Sequence, residues 1–211
     1  MDIQLFDTLP STQAYLIEKI EQNILTAPIA ILAKEQSAGL GSRDNEWVGG
    51  KGNFFLSFAV KLEDLPVDLP LHAASIYFSY LMKETLMHLG EEVWLKWPND
   101  LYKKKEKIGG TITKQVNKTL VCGMGINLKN VQNGYASLQS EIEAEKLLQA
   151  YIESIKMFPS WKQVFSGFAI EFELGREFLV HIENYQKSLM DACLQSDGSL
   201  IIEGKRVYSL R

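Results

Sequence analysis

The sequence predicts an α+β or mixed α/β main domain, a mixed β-sheet flanked by helices, followed by a small β domain. Three observations carry this. A helical spacing of apolar residues runs from Leu71 through Phe78, Leu81, Met82 and Leu86 to Leu89. Apolar runs of strand length occur at Ile29–Ala33 and Phe54–Val60. After about Leu174 the texture changes to short strands around turns, notably Asp197-Gly198, too few residues for a large core of their own. The division expected is 1–174 for the main domain and 175–211 for the appendage.

The elements follow in order. Ile3-Gln4-Leu5-Phe6 alternates like a half-buried strand. Ser11 follows Pro10 and suits the N-cap of a helix burying Leu16, Ile17 and Ile20. A polar, glycine-containing stretch from Lys34 to Asn53 separates the two apolar strands. Gly90 is positioned to stop the helix that ends near Leu89. Strands are expected at 93–97, 107–113 and 119–123. A second long helix should begin near Ser140, with Glu143 completing a capping box, and should bury Leu147, Leu148, Tyr151, Ile152 and Ile155 before Pro159 ends it.

Composition excludes several classes. The chain has 211 residues, 46% hydrophobic and 23% charged, which is ordinary globular usage. No apolar run approaches the roughly 20 residues of a membrane helix. The start, Met1-Asp2-Ile3-Gln4, carries neither a basic region nor an apolar core for export. Two distant cysteines, Cys122 and Cys193, make no disulfide framework, so a cytoplasmic location is expected. A formal net charge of -4 gives no basic field for nucleic acid. The one dense basic run, Lys103-Lys104-Lys105, reads as a solvated turn. His72 and His88 lie 16 apart in one helix, a spacing that makes no metal site.

Four segments could carry chemistry. Gly39-Leu40-Gly41-Ser42-Arg43-Asp44-Asn45-Glu46-Trp47 sets two glycines, an arginine and a tryptophan between strands. Glycines let backbone N–H groups approach a ligand, and an indole offers a face to a flat ring; taken alone, a surface loop is the better reading. In Lys96-Trp97-Pro98-Asn99-Asp100 a strand is broken by proline, leaving an Asn-Asp pair beside lysines. That suits phosphate or metal handling, and equally a simple turn. Lys107-Ile108-Gly109-Gly110 puts a lysine before two glycines, as a ligand-facing cation or as an edge lysine at a bulge. Gly123-Met124-Gly125-Ile126-Asn127 lacks the third glycine of a dinucleotide fingerprint.

The order of these motifs is more specific than any one of them. Ser11-Thr12-Gln13, Gln36 with Gly39 and Gly41, Trp47, the Lys96–Asp100 and Lys107–Gly110 segments, and Gly123-x-Gly125-Ile126-Asn127 together closely resemble the biotin–protein ligases. The resemblance covers nearly the whole chain. It implies the fold shared by biotin ligases and class II aminoacyl-tRNA synthetases, with a small C-terminal SH3-like domain, in the short form lacking an N-terminal DNA-binding domain. It implies a two-step reaction. Biotin and Mg-ATP give biotinyl-5'-AMP and pyrophosphate, and the biotinyl group then passes to a lysine of a biotin carboxyl carrier protein domain of a carboxylase.

The resemblance also implies roles. Biotin would be held by Ser11, Thr12, Gln13, Gln36, Gly39, Leu40, Gly41, Lys107, Gly123 and Gly125. The nucleotide would meet Ser42, Arg43, Trp47, Lys96, Asn99 and Asn127. Lys107, Asp100 and Lys96 would carry catalysis, with Asp100 taking the proton of the incoming lysine; Mg2+ is expected as cofactor, with no ligands assigned. The chain departs from the family's glycine-rich loop at Leu40, Ser42 and Asn45, where arginines are usual, leaving Arg43 as the loop's cation and implying a weaker hold on the adenylate. No nucleic acid and no membrane is expected as partner, and a monomer or weak homodimer as the assembly. The alternatives are a lipoate or octanoate transferase of the related fold, and a non-catalytic regulator that binds biotin or nucleotide.

Overall fold

The computed structural model describes residues 1–41, 46–47, 50–129, 136–182 and 185–209. Its main sheet has seven strands: β1 (Asp2–Leu9), β2 (Ile29–Gln36), β5 (Phe54–Lys61), β6 (Trp94–Lys96), β7 (Asp100–Lys103), β8 (Glu106–Val116) and β9 (Thr119–Ile126). Their spatial order is β1-β2-β5-β9-β8-β7-β6. The β1–β2 pair is parallel and the remaining neighbours are antiparallel, so the sheet is mixed.

Helices cover both faces. Helix α1 (Thr12–Glu21) packs Leu16 and Ile20 against Ile31, Ala33, Ala59 and Val121. On the other face α2 (Ala74–His88), α3 (Ala144–Lys156) and α4 (Trp161–Leu174) pack against Leu56, Phe58, Leu120, Cys122 and Met124. Burial on both sides explains why β5 reads as the near-continuous apolar run Phe54-Phe55-Leu56-Ser57-Phe58-Ala59-Val60 instead of an alternating strand.

Helix boundaries follow local chemistry, with two corrections to the expectation. Ser11 caps α1 as expected, its Oγ accepting from the Ala14 N–H at 3.3 Å. The capping box expected at Ser140 and Glu143 does not form. The Ser140 N–H donates to the Leu128 carbonyl, its Oγ accepts from the Ile142 N–H at 3.1 Å, and α3 starts at Ala144 without a side-chain cap. A capping box is present one helix later, where Ser160 and Gln163 exchange hydrogen bonds at the start of α4. The expectation of two long helices therefore omits a third. Gly167 interrupts its apolar pattern because a Cβ there would collide with the Tyr80 hydroxyl of α2.

A short hairpin, β3 (Gly39–Leu40) with β4 (Glu46–Trp47), lies in the polar stretch between β2 and β5. After α4 come the small strands β10 (Leu179–Ile182), β11 (Tyr185–Ser188), β12 (Cys193–Leu194), β13 (Leu200–Ile202) and β14 (Lys205–Val207). They form a two-stranded and a three-stranded sheet, a small strand-rich domain. Val180, Leu189, Ala192, Leu200 and Ile202 join the main core. Both cysteines are free thiols, Cys122 buried and Cys193 exposed. Among the described residues no helix is long and apolar enough to cross a membrane.

Candidate active site

A cavity of about 590 Å³ opens on the α1 face of the sheet. Its floor is made of glycines brought into register: Gly110 of β8 pairs with Gly125 of β9, and Gly123 pairs with Ile112. Side chains on neighbouring elements fill the space a Cβ would take. A Cβ on Gly123 would sit 3.0 Å from Gln13 Oε1, and one on Gly125 would strike the indole of Trp47. Glycine is required at these positions for close approach, not for backbone freedom.

One end of the cavity is a tight hydrogen-bonded cluster. The Thr12 N–H donates to Gln36 Oε1 at 2.7 Å and the Thr12 hydroxyl donates to the same oxygen at 3.0 Å. Thr12 Oγ1 also lies 2.8 Å from Ser57 Oγ, which is fully buried. The first turn of α1, the end of β2 and the middle of β5 thus converge. Ser11, Gln13 and Gly41 line the same region. Gly39 sits just behind it, where a Cβ would lie 2.6 Å from the Trp47 carbonyl and 2.9 Å from Gln36 Nε2.

Among the described residues, the middle of the cavity holds one ion pair. Lys107 Nζ lies 2.5 Å from Asp100 Oδ1, with the two side chains 42% and 21% exposed. A bulge sets this geometry. Asp100 pairs with Gly110 and Leu101 with Gly109, but Tyr102 pairs with Lys107, so Ile108 is an extra residue. Side chains alternate faces along a strand, so that extra residue turns both Lys107 and Gly110 to the cavity while Ile108 enters the core.

The other end carries unpaired polar groups. Among the described residues, four buried side-chain atoms have no hydrogen-bond partner: Trp47 Nε1, Asn99 Oδ1, Thr111 Oγ1 and Asn127 Oδ1. All four residues line this cavity. Their neighbours are committed: Asn127 Nδ2 donates to the Ala136 carbonyl at 3.0 Å, and Asn99 Nδ2 donates to the Thr111 carbonyl. A buried polar atom left unpaired costs about 1–3 kcal/mol, so four on one cavity wall mark a surface shaped for a polar ligand.

Most of the described sequence-derived site residues thus come together, with Gly39 and Lys96 outside the lining. Lys96 does not line the cavity. Its ammonium lies 5.4 Å from the ring centre of Tyr102 and 5.7 Å from that of Phe178, a cation–π site at the junction with the C-terminal strands. Burial, reinforced by the charge of Asp100, pushes the Tyr102 phenol up to about 12, so this ring stays neutral. Ser42, Arg43 and Asn45 lie outside the described residues, while Leu40 is half exposed on the rim and pairs with Glu46. The basic run is not a simple solvated turn, because Lys103 Nζ donates to the Leu138 carbonyl at 2.8 Å and contacts Glu91.

The lining also includes Glu46, Ser57, Gly110, Thr111, Ile112 and Met124, to which the sequence assigned no role. Ser57 had a signal, being the one polar residue within the apolar run Phe54–Val60. No group of three or more His, Cys, Asp or Glu side chains that could hold a metal occurs among the described residues.

Comparison with known proteins decides the family. Residues 5–129 match the biotin/lipoate A/B protein ligase family. The chain belongs to that family. It is 41% identical to the biotin acetyl coenzyme A carboxylase synthetase from Helicobacter pylori, a structure with bound biotinylated ATP. That match covers 98% of this chain and 99% of the other, with a TM-score of 0.94. The biotin protein ligase from Aquifex aeolicus, in complex with biotin and ATP, shares the fold at a TM-score of 0.76 and 19% identity, over 100% of this chain and 96% of that one. The bifunctional ligase/repressor BirA of Escherichia coli strain K12 is 33% identical over 133 residues. Those residues are 60% of this chain and 40% of the E. coli protein, so the chain spans well under half the length of that curated relative.

Proposed function

We propose that this chain joins biotin to ATP as biotinyl-5'-AMP and transfers the biotinyl group to a lysine of a carrier protein. The observation that carries the reading is one continuous cavity with two chemically distinct ends and a single lysine between them. Biotin offers a ureido ring that needs hydrogen bonds in an otherwise tight pocket. The Thr12–Gln36–Ser57 cluster supplies donors and acceptors of that kind, with Ser11 and Gln13 beside it. The adenylate offers a flat purine and polar edges, for which the Trp47 indole and Asn127 Oδ1 are suited.

The chemistry follows from charge. In the first step a biotin carboxylate oxygen attacks the α-phosphorus of ATP, the bond to the bridging oxygen breaks, and pyrophosphate leaves. Two anions must meet, and Lys107, on the cavity side of the bulge, supplies a cation between them. Asn99 and Asp100 form the adjoining wall. Asn99 Oδ1 and the Asp100 carboxylate are the oxygen donors there that fit a Mg2+ ion arriving with ATP, and such an ion would neutralise phosphate charge. In the second step the neutral amine of the carrier lysine attacks the acyl carbon and AMP leaves with the bonding electrons. Asp100 takes the amine's proton as Lys107 turns to the phosphate. The likeness to the biotin acetyl coenzyme A carboxylase synthetase supports a biotin carboxyl carrier domain of a carboxylase as the acceptor.

Adenylate formation alone is sufficient to test the reading. Labelled pyrophosphate should exchange into ATP when biotin is present and no acceptor is added. Exchange with lipoate and none with biotin would reassign the substrate to the lipoyl branch of the family. Exchange with neither, alongside binding of biotin, would leave a binding protein.

A further inference from the structure

We propose that the 196–199 turn of the C-terminal strands is a positioning element for the Asn99–Asp100 wall of the cavity, acting through the indole N–H of Trp97. The inference rests on the reaction proposed above. Three consecutive backbone carbonyls of this turn each meet a ring nitrogen of the main domain. Trp161 Nε1 donates to the Ser196 carbonyl at 2.8 Å, His72 Nε2 donates to the Asp197 carbonyl at 3.0 Å, and Trp97 Nε1 donates to the Gly198 carbonyl at 2.9 Å. Trp97 is 1% exposed, so a buried indole N–H without this carbonyl would be left unpaired.

The turn is itself rigid. The Gly198 N–H donates to the Gln195 carbonyl at 2.8 Å, and the Gln195 N–H to the Ser199 carbonyl at 2.8 Å. Asp197 Oδ1 accepts from both the N–H and the hydroxyl of Ser199, at 3.0 and 2.6 Å, while Oδ2 accepts from Arg206 at 3.0 Å. Gly198 has φ +82, and a Cβ there would press on Ile76, Ala73 and Trp161.

Of the three donors, Trp97 alone belongs to the segment that builds the cavity wall. Two residues on, the Asn99 carbonyl accepts from the Thr111 N–H at 3.1 Å, and one residue further Asp100 meets Lys107. The chain from the C-terminal turn to the reacting groups is therefore short: Gly198 carbonyl, Trp97 ring, Asn99, Asp100. Trp161 grips the same turn from the start of α4, away from the wall. A staple that merely fastens the C-terminal strands would use Trp97 and Trp161 alike; a positioning element would not.

The test compares Trp97→Phe, Trp161→Phe and Asp197→Ala in the full chain, by thermal midpoint, calorimetric biotin affinity, and kcat and KM for ATP in biotin-dependent pyrophosphate exchange. Misplacing reacting groups by a fraction of an ångström lowers the chemical step, so Trp97→Phe should lose about tenfold in kcat with biotin affinity within about twofold. Trp161→Phe, with a comparable drop in thermal midpoint, should keep kcat within about twofold. Asp197→Ala, which loosens the turn without touching the core, should follow Trp97→Phe with a loss of about threefold. Equal losses of kcat in the two tryptophan variants, or wild-type kcat in Trp97→Phe, would overturn the proposal. Should Trp97→Phe fail to fold, wild-type kcat in Asp197→Ala overturns it. An active wild type with indifferent variants sinks this inference alone; a wild type that neither binds biotin nor exchanges sinks the functional reading and the inference together.

Discussion

Lys107 and Asp100 lie 2.5 Å apart, with a glycine floor beneath and unpaired amide oxygens on the adjoining wall. Removing a preorganised cation from between two anions should cost on the order of 10²-fold or more, so Lys107→Ala should lose exchange activity to that extent. Lys105→Ala is the control, since its ammonium pairs with Glu177 on an exposed surface and its loss should leave the rate nearly unchanged. Equal small effects would make Lys107 an ordinary strand lysine. Trp47 gives a second prediction. Base–aromatic stacking is worth roughly 1–3 kcal/mol, so Trp47→Ala should weaken nucleotide binding by that amount in calorimetry, with biotin affinity unchanged. At this scale the sequence was informative where a motif concentrates the site, as at 96–100 and 107–110. The position of Lys96 outside the cavity lining was not legible, because its aromatic neighbour Phe178 lies in the C-terminal segment and has no local signal. Strand-level alternation also could not orient Lys107, because the extra residue Ile108 becomes apparent only once β7 and β8 are paired.

Individual elements show why some boundaries were legible and others were not. Ser140-x-x-Glu143 and Ser160-x-x-Gln163 are equivalent capping patterns in sequence. Only the second forms, because Leu138 and Ser140 commit their backbone N–H groups to Asn127 and Leu128 of the segment after β9. Ser160→Ala should therefore destabilise the protein by about 1 kcal/mol in urea unfolding, whereas Ser140→Ala should show no helix-cap effect. Asp68 gives the same helix a pH dependence. The N–H of Lys162, and after it that of Trp161, hold its carboxyl below the ordinary aspartate value. With the folded value the lower one, the stabilisation is fully present above the unfolded value of about 3.9 and drains away as pH falls through the folded value. Asp68→Asn should lower stability at neutral pH and flatten the acid limb of the stability curve below about pH 4. An unchanged acid limb would mean that Asp68 does not set the pH dependence of this helix.

For the molecule as a whole, the α+β class was legible because burial on both faces leaves continuous apolar strands and because α2 and α3 keep helical spacing. The parallel β1–β2 pair, the seven-strand order and α4 were not, since each depends on which surfaces meet rather than on local pattern. The C-terminal strands were legible as a change of texture, but not the contribution of their buried residues to the main core. We propose Leu174, where α4 ends, as the boundary between the two parts. In the proposed reaction, biotin and ATP occupy opposite ends of one cavity and react beside Lys107 before any carrier arrives. Biotin-dependent exchange of pyrophosphate into ATP, with no acceptor protein present, tests that claim most directly. The expected result is exchange that requires biotin, is not supported by lipoate, and is largely lost in Lys107→Ala; exchange independent of biotin, or none in protein shown to bind both biotin and ATP, would contradict it.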